Sequence, residues 1–428
     1  MHSRALFFLL AGAACVPAAG AQNLEGRIAA RRDGYVGLSF AARADVCGYG
    51  TSYLRIGHGT FLGGGSYVNV NGDMGEAASC ERGPVRVLVT RAEGLTVGLK
   101  VGIAGGPWPL GTTDLGVVGA AQAVDYFLGL AVASDGRLGR EALLPAVLAD
   151  SATVWRGLLR IAQDRKLSRG LRESATGWLG RESTWQGNDA SREIVAALTT
   201  LAGNREEPAS LRSRAVSALA RNEGSGTAAL IRLADADDPI VAKAAMQSLG
   251  RSADPRARDL LRRKVRDGTL PEGTRRDAIR ALGGSDAMPA DFALLRELWP
   301  SLPEGSSREA VLESMAEAGG AENLRWLLAQ AGNASLAGSD RVRTVRAAGR
   351  AGATTEELSR LWDAGQDRRV KEALLEALIR IGDRAAIDKV TTIARSETDV
   401  QVRRAAINRL AKLGDEKATA VLKDLVEK

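Results

Sequence analysis

The amino-acid sequence predicts a mainly α-helical protein, an α-solenoid of stacked helix pairs preceded by a small strand-rich domain. Three observations support this fold class. A short helical motif recurs along most of the chain, a second apolar segment follows its copies, and the residues before the first copy have a strand-like pattern. With 428 residues, 45% hydrophobic and 25% charged, the chain can bury a sizeable core and is expected to form two domains.

The repeated motif is clearest near the C-terminus, in residues 402–414, which read VRRAAINRLAKLG. Val402, Ala406 and Leu410 are spaced so that they fall on one stripe of an α-helix. Asp399 precedes this helix as a suitable N-cap, and Gly414 follows it as a suitable end. The segment therefore predicts an amphipathic helix that buries one side.

The same order of residue types, basic-x-x-small-x-x-x-apolar-small, recurs about every thirty residues, a period typical of solenoids built from helix pairs. Because one pair cannot bury its own apolar face, neighbouring pairs must stack. The second apolar segments include residues 228–234, 257–265, 324–331, 385–394 and 418–426. The copies begin at Arg172, Arg212, Ala242, Arg275, Arg308, Arg341, Lys371 and Arg403.

Two of these copies resemble the HEAT repeat family, in particular its short class, which also occurs in phycobilin lyases. They are the Asp-x-x-Val-Arg-x-x-Ala-x-x-x-Leu stretch of residues 399–410 and the copy that contains Asp367 and Lys371. The resemblance covers about residues 120–428 and implies an α-solenoid that serves as a binding surface. The copies at Arg308 and Arg341 depart most from the pattern, so we expect irregular stacking there.

The first 21 residues have the features of a signal peptide. Arg4 is followed by an apolar run at residues 5–14 and by small residues at 19–21, where cleavage is expected. The sequence therefore predicts export, to the periplasm or the medium. Lipid attachment at Cys15 is the alternative, although the usual Leu three residues before such a cysteine is missing. No later segment approaches the ~20 apolar residues of a transmembrane helix.

Residues 22–113 predict the small strand-rich domain, with four to six strands in an antiparallel sheet or open barrel. The expected strands include residues 35–40, 66–70, 85–90 and 96–103, separated by Gly-rich or Asn-Gly turns. Cys47 and Cys80 remain after the signal peptide and are expected to form a disulfide, because paired cysteines in exported chains usually do. A metal or redox pair is the alternative, but the Cys-x-x-Cys spacing is missing.

The helical part is expected to begin at Asp114, with residues 114–171 as an N-terminal cap and 172–428 as the repeats. Helices are expected at residues 120–131, 138–148 and 154–162, which do not follow the repeat. The longest step between copies, from Arg172 to Arg212, predicts an insertion at residues 181–191. Insertions in such stacks project as loops on one edge, often the binding edge.

The repeated basic residue has two interpretations, a ligand-binding row or a structural ladder. Asp238, Glu304, Asp367 and Asp399 each lie four residues before a motif, where an acid can cap its own helix and pair with the basic residue of a neighbouring repeat. We therefore expect the ladder. For partner binding we expect Trp185, Trp155 and Arg181 near the insertion, because tryptophan anchors interfaces well. The alternative for Trp155 is a core position.

The residue types give no sign of a catalytic, cofactor or metal site. His58 is the one histidine after the signal peptide, which excludes a multi-histidine zinc site. A nucleophile paired with His58 would lack the Gly-x-Ser-x-Gly elbow, and the glycines at 63–65 lack the Lys-Ser/Thr of a phosphate loop. The net charge of +7 is thinly spread, without four consecutive basic residues, so nucleic acid is not an expected partner.

These observations favour a non-catalytic, exported scaffold that binds a protein or peptide through its solenoid surface. Two alternatives stay open: an enzyme or cofactor handler, by the likeness to phycobilin lyases, and a structural protein of the cell envelope that uses its mild positive charge.

Overall fold

A computed structural model describes residues 23–51, 53–57, 59–62 and 80–413. The predictions for the signal peptide, for the strand at 66–70, for His58 and for the last apolar segment at 418–426 lie outside the described residues. The chain forms two compact units, one up to Trp178 and one from Leu179 onward. The division falls inside one helix.

The first unit contains seven described strands and the first helices. They are α1 (Leu24–Ala29), β1 (Gly34–Phe40), β2 (Val46–Tyr49), β3 (Tyr53–Ile56), β4 (Gly59–Leu62), β5 (Val85–Ala92), β6 (Leu95–Ile103), β7 (Thr112–Val117), α2 (Ala120–Ser134), α3 (Gly136–Leu148), α4 (Trp155–Gln163) and the first part of α5 (Arg169–Trp185).

Two sheets form instead of one sheet or an open barrel. The larger sheet has the order β6-β5-β1-β7, and the smaller has the order β2-β3-β4. Strand β1 pairs antiparallel with β5 but parallel with β7, so the expected all-antiparallel arrangement is wrong for this pair. Every second residue of β1, including Leu38 and Phe40, is fully buried, as the alternation of a half-buried strand requires. On that side the Phe40 ring lies 6.2 Å from the ring of Phe127 in α2.

The strand-rich part continues to Val117, so Asp114 lies within β7 and not at the start of the helical part. The chain reaches β7 through a loop that places Trp108 directly on Gly37 of β1. A β-carbon on Gly37 would lie 2.7 Å from the indole ring, so only glycine fits there. The guanidinium of Arg86 stacks on the same ring, 3.8 Å from its centroid.

The disulfide expected between Cys47 and Cys80 is present, and it joins β2 to the segment before β5 over a separation of 33 residues. It therefore closes a long loop within the strand-rich part.

The second unit is a solenoid of helix pairs, as the sequence predicts. Its helices after α5 are α6 (Asn188–Gly203), α7 (Ala209–Leu219), α8 (Ser225–Leu233), α9 (Pro239–Gly250), α10 (Pro255–Arg266), α11 (Glu272–Leu282), α12 (Pro289–Leu298) with a 3₁₀ turn (Trp299–Ser301), α13 (Ser306–Ala318), α14 (Ala321–Gly332), α15 (Gly338–Arg350), α16 (Thr355–Asp363), α17 (Arg368–Ile381), α18 (Arg384–Ser396) and α19 (Val400–Leu413).

The motif copies from Arg212 onward lie in α7, α9, α11, α13, α15, α17 and α19, which we call the motif helices. Each motif helix packs on the next along the stack, whereas the helices between them touch one another far less. Small residues at the end of the motif allow this approach. A β-carbon on Gly180 would lie 2.8 Å from the backbone of Ala218, and one on Gly250 would collide with the carbonyl of Ala281.

Two expectations about irregular regions are wrong. Residues 181–191 are not a projecting loop, because α5 continues to Trp185 and α6 begins at Asn188. The side-chain amide of Asn222 donates to the Ser183 carbonyl at 3.0 Å and thereby holds the end of α5. The longer step comes from longer helices. The copies at Arg308 and Arg341 are regular helices that stack like their neighbours.

Candidate partner-binding surface

The first residue of the motif makes contacts between repeats. Arg212 donates to the carbonyl of Glu207 at 3.2 Å, and its other end lies 2.8 Å from the carboxylate of Asp238 in the next repeat. Arg341 does the same with the carbonyl of Ala331 and the carboxylate of Asp367, at 3.1 and 2.9 Å. Arg308 binds the carbonyl of Leu302 and pairs with the buried carboxylate of Asp340 in the next repeat. Three further members bind backbone carbonyls shortly before their own helix: Arg172 binds Ala162, Arg275 binds Asp267 and Arg403 binds Glu397.

The acids of the ladder have two roles at once. Asp238 and Asp367 accept backbone N–H groups at the start of α9 and α17 while they pair with the preceding repeat. Asp399 caps α19 but pairs with Arg368, at 2.8 Å, and not with Lys371. Lys371 lies 2.9 Å from Glu397 instead. These ion pairs therefore join one repeat to the next.

Glu304 is the exception among the expected acids, because it makes no ion pair among the described residues. Its place at the start of α13 is taken by Glu272 of the preceding motif helix. The carboxylate of Glu272 accepts the hydroxyl of Ser306 at 2.8 Å and its backbone N–H at 2.6 Å. These hydrogen bonds hold the pKa of Glu272 below its usual range.

A second ion-pair group lies between the helices that separate the motif helices. Asp291 of α12 is fully buried, and both Arg258 and Arg262 of α10 lie 2.7 Å from its carboxylate. Sequence reasoning missed this group because it treated these helices only as apolar segments. The available signal was an acid 33 residues after Arg258, close to one repeat length.

None of the three residues expected to bind a partner is fully exposed. Trp155 is only 4% exposed at the start of α4, so its ring is a core residue, which was the alternative. Trp185 and Arg181 lie in α5 and are half-buried. The expected projecting loop around Trp185 does not exist.

The continuous solvent-facing surface of the second unit lies on the motif helices. Five residues after the first motif position, each of these helices presents a polar side chain to solvent, and the largest members are charged. We call these residues the central row. Its members are Ser217, Gln247, Arg280, Glu313, Arg346, Glu376 and Asn408.

The charge of the central row alternates from one repeat to the next over four motif helices. Arg280 pairs with Glu313 at 2.8 Å, and Arg346 pairs with Glu376 at 3.2 Å. On α13 and α15 the residues one turn away repeat the sign, since Glu309 and Glu317 flank Glu313 and Arg350 follows Arg346. On α17, Arg380 pairs with Glu376 instead. Because these pairs are about half exposed, they contribute ~0–1 kcal/mol each to stability. Their larger effect is on what can dock here.

The last two motif helices line an open cavity of about 520 Å³ on this surface. Pockets that bind ligands commonly have ~300–1,000 Å³. Its polar lining comes from Glu372 of α17 and from Gln401, Arg404, Asn408, Arg409 and Lys412 of α19. We call this the terminal cavity.

Residues 23–51, 53–57, 59–62 and 80–413 contain no group of three or more His, Cys, Asp or Glu side chains placed to hold a metal ion. Within the same ranges, no helix combines the length and the apolar character needed to cross a membrane.

The architecture defines the class of the second unit as an α-solenoid of stacked helix pairs. Residues 227–316 and 355–428 match the family model of HEAT repeats. These two segments are therefore HEAT repeats within the α-solenoid. No curated protein sequence matches it.

Several solved structures are similar to this chain at low identity. Human deoxyhypusine hydroxylase in complex with glycerol is 18% identical over 56% of this chain and 91% of its own, with a TM-score of 0.28. Importin beta is 14% identical over 68% of this chain and 44% of its own, with a TM-score of 0.37. Lipovitellin is 11% identical over 79% of this chain and 40% of its own, with a TM-score of 0.44. The chain thus spans less than half the length of the last two proteins.

Proposed function

We propose that this chain is an exported, non-catalytic scaffold that binds a protein or peptide partner through the exposed surface of its motif helices. The observation that carries this proposal is the central row. It provides a continuous polar surface on successive helices, with charges that alternate in a fixed order. A partner with the opposite order of charges would be steered toward this surface and would bind in one register. Complementary charges act on the on-rate and the specificity of binding more than on its affinity.

The ladder residues support this proposal because their side chains are buried and are therefore not available to a partner. Arg212, Arg275 and Arg341 are each less than 10% exposed and bind backbone carbonyls of their own stack. Arg212 and Arg341 also pair with acids of the next repeat. They hold the repeats in register and therefore support the surface from below. The side chains left to meet a partner are those of the central row and its neighbours.

The test is affinity capture from the native envelope fraction with the full chain. The variant Arg280→Glu/Arg346→Glu reverses two charges of the central row. Its matched control, Arg263→Glu/Arg325→Glu, reverses two exposed charges on α10 and α14, which are not motif helices. We expect the partner, identified by mass spectrometry, to be lost with the first variant and kept with the control. Equal capture by both variants would overturn the proposal.

Export is tested separately by fractionating cells that express the full chain with and without residues 1–21. We expect a shortened product in the periplasm or medium from the first and an intracellular product from the second. An unprocessed intracellular product from the full chain would contradict export.

A further inference from the structure

We infer that the terminal cavity binds an acidic peptide segment in extended conformation, with carboxylates on alternate residues. This inference rests on the proposed function and names the chemistry of the partner at one place on the surface. It follows from the charge, the unused donors and the spacing of the cavity lining.

The charge of the cavity differs from that of the rest of the central row. Elsewhere, Arg280 and Arg346 are each neutralised by an acid of the following motif helix. Among the described residues that line the terminal cavity, Arg404, Arg409 and Lys412 face one carboxylate, that of Glu372. This lining therefore has an excess of positive charge that the preceding motif helix α17 does not balance.

Three donors of the cavity are also unused. Arg404, Asn408 and Lys412 make no hydrogen bond or ion pair within the part of the chain that the structure describes, and all three are exposed. A guanidinium, an amide and an ammonium together offer many N–H donors, and only the amide adds an acceptor. A ligand with several carboxylate oxygens satisfies such a set best, because hydrogen bonds between ionised partners are the strong ones.

The spacing of these three residues fits an extended chain. They follow one another at steps of four residues, which places them about 6 Å apart along one side of α19. An extended peptide carries the side chains of alternate residues on the same side, about 6.6 Å apart. A sequence with Glu or Asp at every second position can therefore set one carboxylate against each donor in turn.

Nucleic acid fits the cavity less well. The three donors cover only about 12 Å of helix. The polar lining includes the carboxylate of Glu372, and the described lining residues include no aromatic ring to stack a base. We therefore assign the cavity to a peptide.

The test is fluorescence anisotropy of the full chain with a labelled nine-residue peptide of alternating Glu and Ser, compared with the same peptide carrying Gln. We expect the Glu peptide to bind more tightly, and Arg404→Glu to weaken it about tenfold or more, because charge-assisted hydrogen bonds are lost. Lys243→Glu is the matched control. Lys243 occupies in α9 the motif position that Arg404 occupies in α19, and it is also exposed. It should leave binding unchanged.

Two further variants keep the test independent of folding. Asn408→Asp changes one exposed atom group and should also weaken the Glu peptide, whereas Glu372→Gln removes the repelling carboxylate and should strengthen it severalfold. Equal binding of the Glu and Gln peptides, or equal loss with Lys243→Glu and Arg404→Glu, would overturn the assignment. If the envelope partner is still lost on reversal of Arg280 and Arg346 in that case, the proposed function stands without this site.

Discussion

In the unit that ends at Trp178, strand β1 pairs with strands far away in the sequence, as Leu38 and Val87 show. In the unit that begins at Leu179, each motif helix packs on helices about one repeat away. The first unit therefore depends on a few long-range closures, including the disulfide between Cys47 and Cys80. The second depends on many similar contacts between neighbours. The difference teaches that a single substitution should act globally in the first unit and locally in the second.

The largest expected effect tests whether a substitution in the second unit acts locally. Asp291→Ala should destabilise the second unit by about 3–5 kcal/mol, because it leaves Arg258 buried without its partner. Hydrogen exchange measured by mass spectrometry should rise first in α10 and α12 and least in α17–α19. Asp259→Ala, which removes an acid that is 61% exposed on α10, is the control and should change little. A uniform rise throughout the stack would contradict local action.

Loss of the disulfide tests whether a single change in the first unit acts throughout that unit. Cys47→Ser/Cys80→Ser should destabilise the first unit by about 3–4 kcal/mol, as expected for opening a closed loop of this length. Exchange should rise together in β1, β5 and β6, while α9–α17 stay protected. If only β2 and the residues near Cys80 lose protection, the strands do not depend on this closure.

A smaller effect is expected at the contact between α9 and α11. Gly250→Ala places a methyl group against the carbonyl of Ala281 and should cost about 1–3 kcal/mol, because the two helices must move apart. Gly203→Ala is the control, since a β-carbon there meets nothing within 4 Å. Urea unfolding followed by circular dichroism measures both. Equal midpoints for the two variants would show that close approach of the motif helices is dispensable.

The smallest expected effect is a pH dependence of stability that arises at Glu397, between α18 and α19. Burial raises the pKa of Glu397, but the hydrogen bonds from Lys371 and from the backbone of Asp399 outweigh it, so this pKa is lowered overall. A carboxyl with a lowered pKa stabilises the fold at pH values above its pKa in the unfolded chain, about 4.3. This contribution disappears as the pH falls through its pKa in the folded chain. Glu397→Gln should therefore be less stable than the wild type at pH 6.5, with a smaller difference at pH 3.5.

Urea titrations at the two pH values measure that difference. Glu304→Gln serves as the control, because Glu304 makes no ion pair among the described residues. If the difference in stability between the wild type and Glu397→Gln were the same at both pH values, the role of the Lys371 pair would be contradicted.

The helix stack could be predicted because its signal is local. The spacing of Val402, Ala406 and Leu410 already fixes one buried side, and each further copy repeats it. Strands β1, β5 and β6 were predicted for the same reason, from short apolar runs. Strand β7 was missed because it contains Asp114 and Gly116, so only its pairing with β1 makes it a strand.

The surface was harder to predict than the fold. Sequence reasoning followed the buried positions of the motif and the tryptophans, and it placed the partner near Trp185, where α5 continues and no loop projects. The alternation of Arg280, Glu313, Arg346 and Glu376 was present in the sequence. It becomes meaningful only when the stack shows that these residues are neighbours across repeats.

The alternating charges of the central row make two repeats, not one, the unit in which this solenoid can be lengthened or shortened. Excising the single repeat that contains Glu313 would set Arg280 beside Arg346, two like charges in adjacent helices. Excising two consecutive repeats would restore opposite neighbours. Engineered or naturally shortened versions of this chain should therefore differ in length by an even number of repeats across this segment.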